Sequence, residues 1–231
     1  VSLGVLGGMG PAATADFLLR LARLTPADRD QDHLPTIVYS DPRTPDRSDA
    51  ILGQGPSPLP AMLRGIEFLN RAGCGLLVVP CNSAHYWYAE LAAAATAPLL
   101  HIADVTADRL RALPGVTRVG LLATDGTVHA GIYQSRLAAA GIATLDLTDG
   151  DAVSPVLAGI RRMKAGDSKT AGEQLLAAGA KLVRLGAEAL IIGCTDISAA
   201  LPSVTELAGA PVVDTADCLA RATVDTCRLN R

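Results

Sequence analysis

The segment Ala72–Gly–Cys–Gly–Leu–Leu–Val–Val–Pro–Cys81 lies over Leu185–Gly–Ala–Glu–Ala–Leu–Ile–Ile–Gly–Cys194 at an offset of 113 residues. The same offset carries Ala97–Pro98 onto Ala210–Pro211 and Ala103–Asp104 onto Ala216–Asp217. Nearer the front of each half, Gly4–Val5–Leu6 matches Gly120–Leu121–Leu122 at 116. Matches in one nearly shared register mark an internal duplication. Related halves are expected to face each other across a pseudo-twofold cleft.

The apolar runs tell what each half is made of. Leu3–Gly7, Thr36–Ser40, Leu76–Pro80, Pro98–Ile102, Val119–Ala123, Leu145–Leu147, Ala189–Gly193 and Pro211–Asp214 read as strands. Each is too continuous to have a wet face, as in parallel strands covered by helices on both sides. Helix-length amphipathic stretches lie between them: Ala12–Leu24, Pro60–Ala72, Ile132–Ala140, Ser154–Ala165 and Thr170–Leu185. Strand–helix alternation of this kind builds βαβ units. The reading is two similar Rossmann-like α/β subdomains with mostly parallel sheets, one over 1–97 plus 210–231 and the other over 98–209. The Pro-, Asp- and Arg-rich segment Asp41–Pro60 follows a strand end and reads as a long loop, where open α/β sheets carry ligand sites.

Composition narrows the function. Of 231 residues, 49% are hydrophobic and 19% charged, enough apolar material for a sizeable core and too little charge for a disordered chain. The net charge of −3 has no basic stripe within it, so nucleic-acid and anionic-membrane binding lack their electrostatic driving force. No apolar run approaches the roughly 18 residues of a membrane span, and the first residues enter a strand at once rather than a signal peptide. Five cysteines without a CxxC pair argue against a disulfide framework. A cytoplasmic protein is expected.

The chemistry is expected at Cys81 and Cys194. Each follows a buried strand, in Pro80–Cys81–Asn82–Ser83–Ala84–His85 and Gly193–Cys194–Thr195–Asp196, and N-cap residue types follow each sulfur. A thiol at a helix N-terminus is predicted to have a lowered pKa. A single buried cysteine is ordinarily a small hydrophobe; two at matched turns of a repeat call for another explanation. Thiols on opposite sides of a cleft suit stereoinversion, one removing a proton from a carbon and the other delivering one to its far face. Such a reaction also needs donors around a substrate carboxylate. Candidates are Leu6–Gly7–Gly8–Met9–Gly10–Pro11, whose glycines let a carboxylate approach backbone N–H groups, and Thr124 at the equivalent place in the second half. Asn82, Ser83 and Thr195 add short polar side chains beside the sulfurs. Arg47 and Lys164 are cations that composition alone would leave as solvated charges.

These motifs together resemble the aspartate/glutamate racemase superfamily on its aspartate-racemase-like branch. The likeness runs from Gly4–Val–Leu–Gly–Gly–Met–Gly–Pro11 through Pro80–Cys–Asn–Ser–Ala–His85 to Gly193–Cys–Thr–Asp–Ile197 and the 210–217 segment. It implies a cofactor-independent, homodimeric amino-acid racemase acting on a small amino-acid substrate, aspartate favoured, with glutamate or a broader range allowed. By that resemblance Cys81 and Cys194 are the catalytic pair, and Arg47 and Lys164 hold a distal carboxylate. Met9, Asn82, Ser83, Thr124 and Thr195 line the substrate site. Ser83 stands where that family usually has Thr, and Asp196 where it usually has Glu. The glutamate-racemase branch would carry His at the latter position.

Other readings have less behind them. Gly8–Met9–Gly10–Pro11–Ala12–Ala13 fits GxGxxA, but the acidic residue that should close the second strand of a dinucleotide site is out of place. A cysteine hydrolase using Cys81 and His85, or a single-thiol lyase or isomerase, leaves Cys194 unexplained. The scattered histidines lack metal-ligand spacing, and no Walker A loop is present. A non-catalytic binder of acidic metabolites predicts carboxylate binding without solvent exchange.

Overall fold

A computed structural model describes residues 2–148, 154–201 and 204–229. The first half holds three parallel strands, β1 (Leu3–Gly7), β2 (Thr36–Ser40) and β3 (Leu76–Val78), in the order β2-β1-β3. The second sheet contains β4 (Arg118–Ala123), β5 (Ala143–Leu145), β6 (Ala189–Gly193), β7 (Glu206–Leu207) and β8 (Ala210–Asp214). Its order is β5-β4-β6-β8-β7, parallel except for the short β7. Every residue of β1 and β6 is buried, as strands covered on both faces must be. The edge strand β2 is only partly covered.

Helices pack on both sheets. The first half carries α1 (Pro11–Leu24), α2 (Arg47–Ile51), α3 (Leu59–Arg71), α4 (Tyr88–Ala94) and α5 (Ile102–Arg111). In the second half come α6 (Asp125–His129), α7 (Gln134–Ala139), α8 (Pro155–Lys164), α9 (Ser168–Arg184), α10 (Thr195–Ala200) and α11 (Thr215–Leu229). Pro11 opens α1 at a position where its missing N–H costs nothing, and Ala61, Met62, Gly65, Ile66 and Leu69 form the buried stripe of α3. The segment expected as loop between Asp41 and Pro60 folds in part, because Asp46 caps α2. Its Oδ1 accepts from the backbone N–H groups of Ser48 and Asp49 at 2.8 and 3.1 Å.

The strand expected over Pro98–Ile102 reduces to one parallel bridge between Leu77 and Leu99, because Ile102 already begins α5. With that bridge, the order β2-β1-β3-Leu99 repeats the order β5-β4-β6-β8. The duplication also sets the helices that follow: α5 starts at 102 and α11 at 215, the same 113 residues apart.

Those two helices change sides. Ala103, Ala107 and Leu110 of α5 pack into the second half's core with Val119, Leu121 and Ile191. Leu219, Ala220, Val224 and Cys227 of α11 pack into the first half's core with Leu3, Val5 and Phe17. The expected division into 1–97 plus 210–231 and 98–209 is therefore corrected on both boundaries. Leu99 bonds to the first sheet, β8 bonds to the second through pairs such as Leu190 with Val212, and only α11 returns to the first half. Each strand stays with its own ladder while the helix after it covers the other half.

Candidate active site

Cys81 follows β3 and Cys194 follows β6, strands that occupy equivalent places in the two sheets. Both thiols are buried and line one cleft between the halves, with about 340 Å³ of empty space. Met9, Arg47, Asn82 and Ser83 line it from the first half, and Thr124, Lys164 and Thr195 from the second. All nine residues singled out in the sequence thus meet in one place. Asp46, Ser48, Thr127, Gly193 and Asp196 join them and went unassigned in the sequence. Asp196 had a signal, since it lies within the second motif; Ser48 had only its place beside Arg47.

The halves are tied together around the sulfurs. Ser48 Oγ on α2 donates to Thr124 Oγ1 at 3.0 Å, and Thr124 in turn accepts from the Thr127 N–H to cap α6. That approach depends on Gly126, where a Cβ would lie 2.6 Å from Ser48 Cα. The fully buried Tyr133, just before α7, donates its hydroxyl to Asn82 Oδ1. Asn82 is therefore held by the opposite half instead of capping the turn that follows it, and its Nδ2 is buried without a partner. A buried amide N–H left unpaired costs about 1–3 kcal/mol, so this group favours an acceptor entering the cleft.

Arg47 is oriented by the backbone. Its Nη1 donates to the carbonyls of Thr44 and Pro45 at 3.2 and 2.9 Å, and Nη2 to that of Met9 at 3.0 Å. Its Nε is buried and unpartnered. The guanidinium is thus fixed before any ligand arrives, with one edge still available. Lys164 ends α8 half-exposed, its Nζ 3.7 Å from Asp196 Oδ2.

Two expectations about the turns are corrected. Burial pushes the Cys194 thiol up to about 12, with the Asp196 carboxylate adding to it; the N–H groups of Asp196 and Ile197 pull the other way and are outweighed. The glycine-rich turn after β1 serves packing at its first position. Gly8 has φ +88° with the Asp41 backbone 2.4 Å from where a Cβ would stand, and its N–H donates to Thr14 Oγ1 at 3.0 Å. That N–H is not open to a carboxylate.

His85 is not a base for Cys81. Its Nε2 accepts from the Ile102 N–H at 3.2 Å, so Nδ1 carries the hydrogen and donates to the Cys81 carbonyl at 2.9 Å. The ring fastens the Cys81 turn to the start of α5. Burial lowers its pKa to about 4. In the unfolded chain the imidazole titrates near 6.5, so the unfolded state binds the extra proton between those values. The contribution of His85 is full above about pH 6.5 and is lost as pH falls toward 4, on the order of 3 kcal/mol. Urea unfolding at pH 7 and pH 4.5 should show this loss, and His85→Gln should reduce it, the remainder coming from the neighbouring His101, whose pKa burial lowers to about 2.

This pairing of a cysteine at the end of one Rossmann-like strand with its counterpart in a second half defines a class of proteins. The chain belongs to the Asp/Glu/Hydantoin racemase family, which matches residues 6–223. It is 29% identical over 231 residues to the broad specificity amino-acid racemase RacX of Bacillus subtilis (strain 168), covering 97% of each chain. Among solved structures it resembles the aspartate racemase of Picrophilus torridus, with a TM-score of 0.86 at 33% identity, covering 99% of this chain and 95% of that one. The glutamate racemase of Thermus thermophilus shares the fold at a TM-score of 0.67 and 21% identity, covering 100% and 81%. Among the described residues no helix is long and apolar enough to cross a membrane.

Proposed function

We propose that the chain racemises α-amino acids without a cofactor, aspartate favoured and glutamate or a broader range allowed, by proton transfer between Cys81 and Cys194. The observation that carries this reading is two buried cysteines at equivalent strand ends lining one cleft. A thiolate on one side removes the α-proton, and the opposite thiol protonates the far face of the carbanion. The roles exchange with the enantiomer bound.

Negative charge builds on the substrate carboxylate as the proton leaves, and donors fixed beforehand stabilise it most. The unpartnered Asn82 Nδ2 and the hydroxyls of Ser83, Thr124 and Thr195 take that carboxylate. The remaining edge of Arg47, together with Lys164, takes a carboxylate on the side chain. Such bidentate contacts to arginine are charge-assisted and directional. The relatives support the substrate class, one being named for broad specificity and another for aspartate.

Incubating the protein in D₂O with L- and D-amino acids tests the reading. Deuterium at Cα of the inverted product, with no cofactor added, is expected for aspartate first. Binding without exchange would make the protein a receptor for amino acids instead.

A further inference from the structure

The cleft does not end at Lys164 and Asp196. A solvent-open outer cavity lies beyond them, walled by Gly10, Pro11, Pro42 and Met163, and Arg47, Lys164, Asp46 and Asp196 line both spaces. Lys164 and Asp196 thus stand at the boundary between the inner cleft and the outer space. Both cations at this boundary are already engaged: Lys164 faces the Asp196 carboxylate at 3.7 Å, and Arg47 donates to three backbone carbonyls. A second carboxyl group, that of Asp46, is turned to the backbone N–H groups of α2.

We propose that Asp196 is the residue that sets side-chain selectivity, by offsetting the charge of Lys164 so that neutral side chains longer than that of aspartate pass into the outer cavity. This rests on the racemase reading and narrows it. A free ammonium at the boundary would favour anionic side chains and make the desolvation of a neutral one unrewarded. Paired with Asp196, the same ammonium discriminates less. Apart from Thr44, whose hydroxyl donates to the Asp41 carbonyl, the walls beyond it are apolar or backbone and make no demand for charge. Asp196 also acts on Cys194. That effect is common to every substrate, so it cancels in a ratio of two substrates measured on one enzyme.

The test is the ratio of kcat/KM for aspartate to that for glutamine, measured by chiral chromatography at one pH. Asp196→Asn is expected to raise the ratio about fivefold, the size of a partly exposed ion pair, and Lys164→Gln to lower it. Asp196→Ser, which also removes the carboxylate, supplies the second reading should the first variant fold poorly. Racemisation by the unmodified chain with a ratio unmoved when the Asp196 carboxylate is removed overturns the proposal alone. Absence of racemisation of any amino acid by the unmodified chain overturns the racemase reading and this proposal with it.

Discussion

Serine in place of Cys81 or of Cys194 is expected to lower racemisation by at least about 10²–10⁴-fold, the usual contribution of a positioned acid or base. The substitution keeps the size of the side chain in a buried turn, so the fold should survive it, which thermal unfolding would check. A hydroxyl in the same place gives up its proton far less readily than a thiol and cannot serve as the base. What distinguishes two bases from one is the residual chemistry. Cys81→Ser keeps the Cys194 sulfur and should still exchange the α-proton of one enantiomer; Cys194→Ser should exchange only the other. Mass spectrometry of each enantiomer in D₂O reads this crossed pattern. Both variants exchanging the same enantiomer, or turnover untouched by either change, would remove the mechanism.

The second large effect is in pH. With its pKa at about 12 in the open cleft, Cys194 rests as a thiol and is the ready proton donor. In the direction that uses it as base, only the deprotonated fraction works. Below the pKa that fraction grows about tenfold per pH unit, so kcat/KM should climb between about pH 7 and 8.5, and equally for the two enantiomers, because the equilibrium constant of a racemisation is one. The sign follows from burial raising an acid whose conjugate base is needed. A flat profile over the same range would mean that substrate binding, and not the protein, sets the protonation of the sulfur.

Much of this architecture was legible in the chain. Strands buried on both faces leave continuous apolar runs, and β1 and β6 fall where those runs lie. The repeat around Cys81 and Cys194 put both sulfurs at equivalent strand ends, and the family likeness added Arg47 and Lys164, which composition alone would have left in solvent. The rest depended on contacts distant in sequence. Pro98–Ile102 is apolar enough for a strand, yet His101 caps a helix there with its ring nitrogen, a role the residue type does not advertise. The lowered pKa expected of Cys194 followed from helix geometry, and its reversal from depth of burial, which no local pattern contains. The links from Tyr133 to Asn82 and from Ser48 to Thr124 join residues 51 and 76 positions apart, and neither side chain signals its partner.

The trade of α5 for α11 says something about ancestry and about cutting. A lone half would end in a helix whose apolar stripe fits someone else's interior, while its own would lie bare. Such a protein could persist only as two chains lending helices to each other, and fusing them would have turned an interlocked pair into one polypeptide. By the same logic, a nick in the turn after α5 should leave the pieces clasped together, each useless until it meets its sibling.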